Sequence, residues 1–309
     1  MAPLKRVVHA ASLNAKERFN STRQSSISRS DLTSVINSLE GADVERRFRY
    51  IKQRLGLSPD PWILHEPECK AWFDSERNIS DDYLWIHGRE GKGKTAAVTA
   101  VINKIQSTIS RDELNHTGRF PDLLTYFFCD QAPDYCTAED VVKSLLRQLC
   151  QQQDVLATYA KQFISRNDQN RSSGNKKAAL GIENLWQSLM DMLTETTIGT
   201  IYFVLCNLHE LSENDDSTNK LLSFIHKATQ DSGLDAETDT GTELAQRRKR
   251  VRTKWLFATR DRLPIRRVLD ENPAVRNIDL SDAKYGDKVQ RELQHHAWTK
   301  VDGLQKQKG

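Results

Sequence analysis

Apolar residues in this chain follow two alternating patterns. Short, mostly apolar runs recur at residues 84–86, 123–129 (LLTYFFC), 200–206 (TIYFVLC) and 254–259 (KWLFAT), and 275–280 (VRNIDL) offers a more polar fifth candidate with Val275, Ile278 and Leu280. They are too short for ordinary helices and rich in β-branched and aromatic residues, which predicts buried strands. Between them, apolar positions recur three and four apart. Examples are Val98, Val101, Ile102 and Ile105, then Val141, Val142, Leu145, Leu146 and Leu149, with similar stretches at 182–193, 219–229, 263–269 and 288–298. That spacing predicts helices with one buried face. The repeated alternation of strand and helix predicts an α/β fold with a parallel sheet.

Ahead of the first strand the pattern changes. Residues 1–41 are rich in Ser, Asn, Arg and Lys with scattered apolar positions, and read as a mobile polar tail. Residues 42–82 read as a helical lead-in: Val44, Phe48, Ile51 and Leu55 share one helix face, prolines at 59 and 61 break it, and Trp62, Cys69, Trp72 and Phe73 mark a second packed segment. The strand-and-helix domain is expected over 83–281, followed by a closing helix and a polar tail over 282–309.

The run YLWIHGREGKGKTAA at 83–97 carries the clearest chemistry. From Gly88 the spacing is Gly, four residues, Gly93, Lys94, Thr95, the phosphate-loop pattern, set between a predicted strand and a predicted helix. Gly88, Gly91 and Gly93 allow backbone N–H groups to point inward at anionic oxygens, together with Arg89, Glu90, Lys92 and Ala96 of the same turn. The following helix adds its positive N-terminal end. Lys94 is expected to reach the β- and γ-phosphates of ATP or GTP, and the Thr95 hydroxyl to ligate Mg²⁺. Residues 207–216 follow the third strand, the side on which open parallel sheets bind ligands.

Composition narrows the setting. The chain has 309 residues, 28% of them charged, a net charge of +3 and a mean hydropathy of -0.64. No strong basic excess points to nucleic acid. The longest apolar run, 198–208, is far short of the roughly 20 residues a membrane helix needs. Five cysteines, without CxxC spacing and mostly in apolar segments, suit packed reduced thiols and an intracellular, cytoplasmic setting. Residues 247–252 (RRKRVR) offer either a nuclear-localisation patch or the solvated approach to a strand. His295 and His296 are adjacent and cannot chelate one metal as an i, i+4 pair could.

Several stretches in order resemble the NACHT-type signalling NTPases of the STAND group, in particular the nephrocystin-3-like N-terminal domain common in fungal proteins. LWIHGREGKGKT, YFFC, VVKSLLRQLC, LCNLHEL, ATRDRLPI and NIDLS, with Trp62 and Trp72 ahead of them, are similar to that family's motifs over about residues 45–305. The resemblance implies a P-loop NTPase three-layer parallel sheet, an ATP- or GTP-dependent switch, protein partners or self-association. It also implies roles for Glu210 as the second acid of the catalytic strand end and for Arg260 as a sensor near the γ-phosphate. Two acidic positions of the family pattern are occupied by Cys206 and His209, and Glu90 stands in place of the loop proline. A neutral thiol is a poor ligand for Mg²⁺, so the expectation is nucleotide binding with slow or lost hydrolysis. The alternative is a non-catalytic interaction scaffold that retains the fold; a small-molecule kinase fits the Arg260 strand end less well.

Overall fold

The computed structural model describes residues 27–55, 58, 60–74, 82–114, 120–129, 136–161, 181–212, 215–231, 251–270, 272 and 275–308. Four apolar runs and the more polar segment VRNID form strands: β1 (Tyr83–His87), β2 (Leu123–Phe128), β3 (Thr200–Cys206), β4 (Arg252–Thr259) and β5 (Val275–Asp279). They make one sheet in the order β2-β3-β4-β1-β5, and every pairing is parallel. All side chains of β1 and β2 are buried although neighbours along a strand point to opposite faces, so both faces of the sheet are covered. The expected three-layer α/β architecture is present.

Helices α4 (Lys94–Leu114) and α5 (Ala138–Gln152) follow β1 and β2, α6 (Ile182–Met192) precedes β3, and α7 (Asp216–Asp231) follows it. Helix α8 (Leu263–Leu269) follows β4, and α9 (Gly286–Lys308) follows β5. Ahead of the sheet stand α1 (Arg29–Ser38), α2 (Val44–Leu55), a single 3-10 turn at Trp62–His65, and α3 (Pro67–Asp74). No described helix is long and apolar enough to cross a membrane.

The lead-in is fastened to the sheet by aromatic and polar contacts. Phe48 of α2 packs on Tyr126 and Phe128 of β2, with ring centroids 5.0 and 6.0 Å apart. Lys254, buried on β4, donates from Nζ to the carbonyls of Trp72 (2.6 Å) and Phe73 (2.8 Å) at the end of α3, satisfying carbonyls that the helix leaves without partners. Burial pushes its pKa down to about 8.

Two expectations change. Residues 29–38, read as part of a polar tail, form α1: Ser28 caps it by accepting the Asp31 N–H, and Val35 and Leu39 are buried. The apolar positions Leu32, Val35, Ile36 and Leu39 do have helical spacing, but serines and arginines dilute it. Residues 1–26 lie outside the described set. At the other end α9 continues through Lys308, so the stretch read as a polar tail is largely helical; its Lys and Gln residues are good helix formers even without an apolar stripe. Of the basic run at 247–252, residues 247–250 lie outside the described set, whereas Arg252 opens β4 and pairs through Nη2 with buried Asp82 at 2.7 Å. That arginine joins β4 to the entrance of β1.

Candidate functional site

The parallel register brings the carboxyl ends of the strands level. His87 of β1 is aligned with Thr259 of β4 and with Asp279 of β5, and Cys206 of β3 with Ala258. The chain therefore delivers Gly88, Asn207, Arg260 and Leu280 to one edge of the sheet, where open α/β folds bind ligands.

The turn at residues 88–93 connects β1 to α4 as the phosphate-loop pattern predicts. Gly88, Gly91 and Gly93 have φ of 140°, 75° and 85°. At Gly88 a Cβ would also meet the Ser281 side-chain oxygen at 3.0 Å and its backbone nitrogen at 3.2 Å. Ser281 closes that approach by accepting the Arg89 N–H through Oγ at 2.8 Å. Lys94 is buried at the start of α4 and donates from Nζ to the carbonyls of Gly88 and Arg89, both at 2.8 Å. Burial, with the Arg260 guanidinium adding to it, lowers the pKa of its ammonium.

A cleft of about 350 Å³ opens over this turn. Its floor is Glu90, Gly91, Gly93, Lys94, Thr95 and Ala96; facing them are Asn207, His209, Glu210 and Arg260. The sequence-predicted residues Lys94, Thr95, Glu210 and Arg260 thus meet in one place. Arg89 and Lys92 belong to the same turn but do not line this cleft. Leu55 of α2 and Leu293 and His296 of α9 complete the wall. No local signal in the sequence marks those three, because they come from elements far along the chain in either direction.

The acidic side of the cleft has an unusual composition. Cys206 ends β3, is 2% exposed, and burial raises its thiol pKa well above the ordinary value. Asn207 follows in the left-handed conformation at φ 59°, uncommon for a side chain other than glycine and a form of strain that concentrates at functional sites. Its N–H donates to the Ala258 carbonyl at 2.6 Å. His209 is buried in the next turn. Its Nδ1 accepts the Arg260 backbone N–H at 3.0 Å, so Nε2 carries the proton and faces Glu210 Oε1 at 3.0 Å. Burial pushes the His209 pKa down to about 4, outweighing the opposing pull of Glu210. The ring is neutral at pH 7, with its tautomer set by the backbone. The Arg260 guanidinium reaches Glu90 Oε2 at 3.2 Å and Glu210 Oε1 at 3.8 Å. Arg262 donates to the His209 carbonyl at 3.1 Å and braces the same turn.

The histidine pair of α9 and the cysteines sit in separate surroundings. His295 is exposed while His296 is buried beside Glu292, 3.7 Å away. Buried Cys129 and half-buried Cys136 are hydrogen-bonded through their side chains, and all five cysteines are free thiols. Among the described residues no group of three or more His, Cys, Asp or Glu is arranged to hold a metal ion.

Comparison with known proteins agrees with the motifs. Vegetative incompatibility protein HET-E-1 of Podospora anserina is 26% identical over 155 residues, a stretch that covers 47% of this chain and 10% of that protein. The chain therefore spans about a tenth of the length of that relative. The family model described as nephrocystin 3, N-terminal, matches residues 60–237. That span includes the phosphate-loop turn and Glu210, and stops short of β4 and Arg260. With more than half of its residues matched, and the strand, loop and helix order of the motifs realised in the fold, the chain belongs to the nephrocystin 3, N-terminal family.

Proposed function

We propose that this chain is a nucleotide-binding switch domain of a signalling or self-assembling NTPase, taking ATP or GTP, in which hydrolysis is slow or lost. The observation that carries the proposal is one cleft lined by phosphate-loop residues on one side and by Asn207, His209 and Glu210 on the other, where the strand leading to them ends in Cys206, a neutral thiol buried outside the lining. The turn suits a phosphate chain: its glycine conformations, the N-terminus of α4 and the Lys94 ammonium all favour anionic oxygens. Glu210 and Arg260 line the wall facing the turn, where a terminal phosphate would meet them. The match to Mg²⁺ is poorer. The Thr95 hydroxyl and the Glu210 carboxylate are oxygen donors in the cleft, but a hard cation gains little from a protonated sulfur. When bound, the metal would neutralise charge on the phosphates; without a firm hold on it, binding outlasts turnover. Glu210, kept in place by the His209 Nε2–H, would orient an attacking water. The relative named for vegetative incompatibility supports the signalling side of the proposal.

Nucleotide affinity and turnover, measured with and without Mg²⁺, test this directly. The expected result is ATP or GTP binding that Lys94→Ala abolishes, with turnover far below the usual enzyme range. Robust Mg²⁺-dependent hydrolysis by the native chain would overturn it. A second reading, a protein-interaction scaffold without nucleotide, draws on the exposed apolar residues of α9, where Trp298 is 72% and Val301 46% exposed. The two differ in thermal stability. A nucleotide at about 100 times its Kd adds roughly 2.7 kcal/mol to a binding protein and nothing to the scaffold.

A further inference from the structure

The phosphate-loop turn contains one acid. Glu90 projects from the turn with its side chain 78% exposed, and its carboxylate lies 3.2 Å from Arg260 Nη2. The same guanidinium nitrogen is 3.8 Å from Glu210 Oε1. Arg260 therefore stands between two carboxylates, one from the loop and one from the turn after β3. The other cation of the cleft, Lys94, is turned to the carbonyls of Gly88 and Arg89; Cys206 is a buried thiol, and the neutral His209 ring donates from Nε2 to Glu210.

A nucleoside diphosphate and a triphosphate use this cleft differently. The diphosphate chain ends over the glycine turn and Lys94. A third phosphate extends beyond it toward Glu210 and Arg260. At Arg260 Nη2 it would compete with the Glu90 carboxylate, which stays tethered four residues before Lys94 whichever group takes that nitrogen. The terminal phosphate then lies beside an anion in a site with few oxygen ligands for a neutralising metal.

We propose that Glu90 is a specificity-determining residue that weakens the hold on the terminal phosphate of a triphosphate and so shifts the cleft's preference toward nucleoside diphosphates. The inference rests on the reading of the turn as a nucleotide site and adds which phosphate chain it prefers. Glu90 is highly exposed and Arg260 is 31% exposed, so solvent screens the effect. An exposed charge pair of this kind corresponds to a factor of about two to five in affinity, and the factor shrinks as salt rises.

The test uses fluorescently labelled adenosine and guanosine di- and triphosphates, titrated into the whole chain and its Glu90→Gln and Glu90→Lys variants, at low and high salt, with EDTA and with Mg²⁺. The readout is the ratio of triphosphate to diphosphate affinity. Glu90→Gln is expected to raise that ratio about two- to five-fold in low salt with EDTA. Glu90→Lys should raise it further, and high salt should erase most of the gain. The side chain is exposed, so both variants are expected to keep the native melting temperature. If the native chain binds nucleotides but both variants leave the ratio unchanged, this inference is overturned and the nucleotide site stands. If the native chain binds none of the four nucleotides, the nucleotide site and this inference fall together.

Discussion

At the scale of single residues, the cleft shows how a neutral group can organise charged ones. His209 accepts a backbone N–H on one ring nitrogen and donates to Glu210 from the other, and its burial makes protonation costly. The consequence for stability has a definite sign. Between its ordinary value of 6.5 and its folded value of about 4, the unfolded chain takes up a proton at this histidine that the folded chain refuses. The folded state therefore loses stability as pH falls through that window. His209→Gln should flatten the decline in melting temperature between pH 6.5 and 5, where most carboxylates have not yet titrated; equal slopes in both proteins would contradict the assignment. The phosphate-loop residues were legible because their chemistry is contiguous in the chain, from Gly88 to Thr95. Glu210 and Arg260 were reachable through the family resemblance of LCNLHEL and ATRDRLPI. The contact between Glu90 and Arg260 and the left-handed Asn207 were not. Both depend on how separate strand ends meet, and no spacing in the sequence records that.

At the scale of elements, the strands were the easiest part to read, since a sheet buried on both faces requires continuous apolar runs. The lead-in helix α2 was equally plain from Val44, Phe48, Ile51 and Leu55. Helix α1 was not, because its four apolar positions lie in a serine- and arginine-rich setting and only their packing reveals them. Leu39, 1% exposed at the end of α1, gives that packing a measurable size. Leu39→Ala should lower unfolding stability by about 2–5 kcal/mol, as for other buried leucines, when read by urea titration. A substitution in an unpacked tail would change nothing. Lys254 shows a different limit of the sequence: within KWLFAT it looks like the solvated start of a strand, yet its ammonium is buried and caps α3.

At the scale of the whole molecule, the order β2-β3-β4-β1-β5 was the least legible property, because continuous apolar strands carry no record of which neighbour each will take. That order has a kinetic consequence. The strand bearing the phosphate loop, β1, pairs with β4 and β5, both made after β2, β3 and their helices have followed it. The ion pair that joins its entrance to β4 links Asp82 to Arg252, 170 residues later. At ordinary translation rates, Tyr83–His87 waits roughly 10–30 seconds for its first partner strand. Such long-range closure is slow, and it leaves an apolar strand edge open to association with other chains. A fragment of residues 27–250 should therefore lack both a cooperative melting transition and nucleotide binding, as circular dichroism and nucleotide titration would show, even though it contains the whole phosphate-loop motif and the entire family-matched span. Nascent chains of this protein depend on being shielded until β4 and β5 emerge, so holdase chaperones would be expected to set its yield before any ligand acts on it.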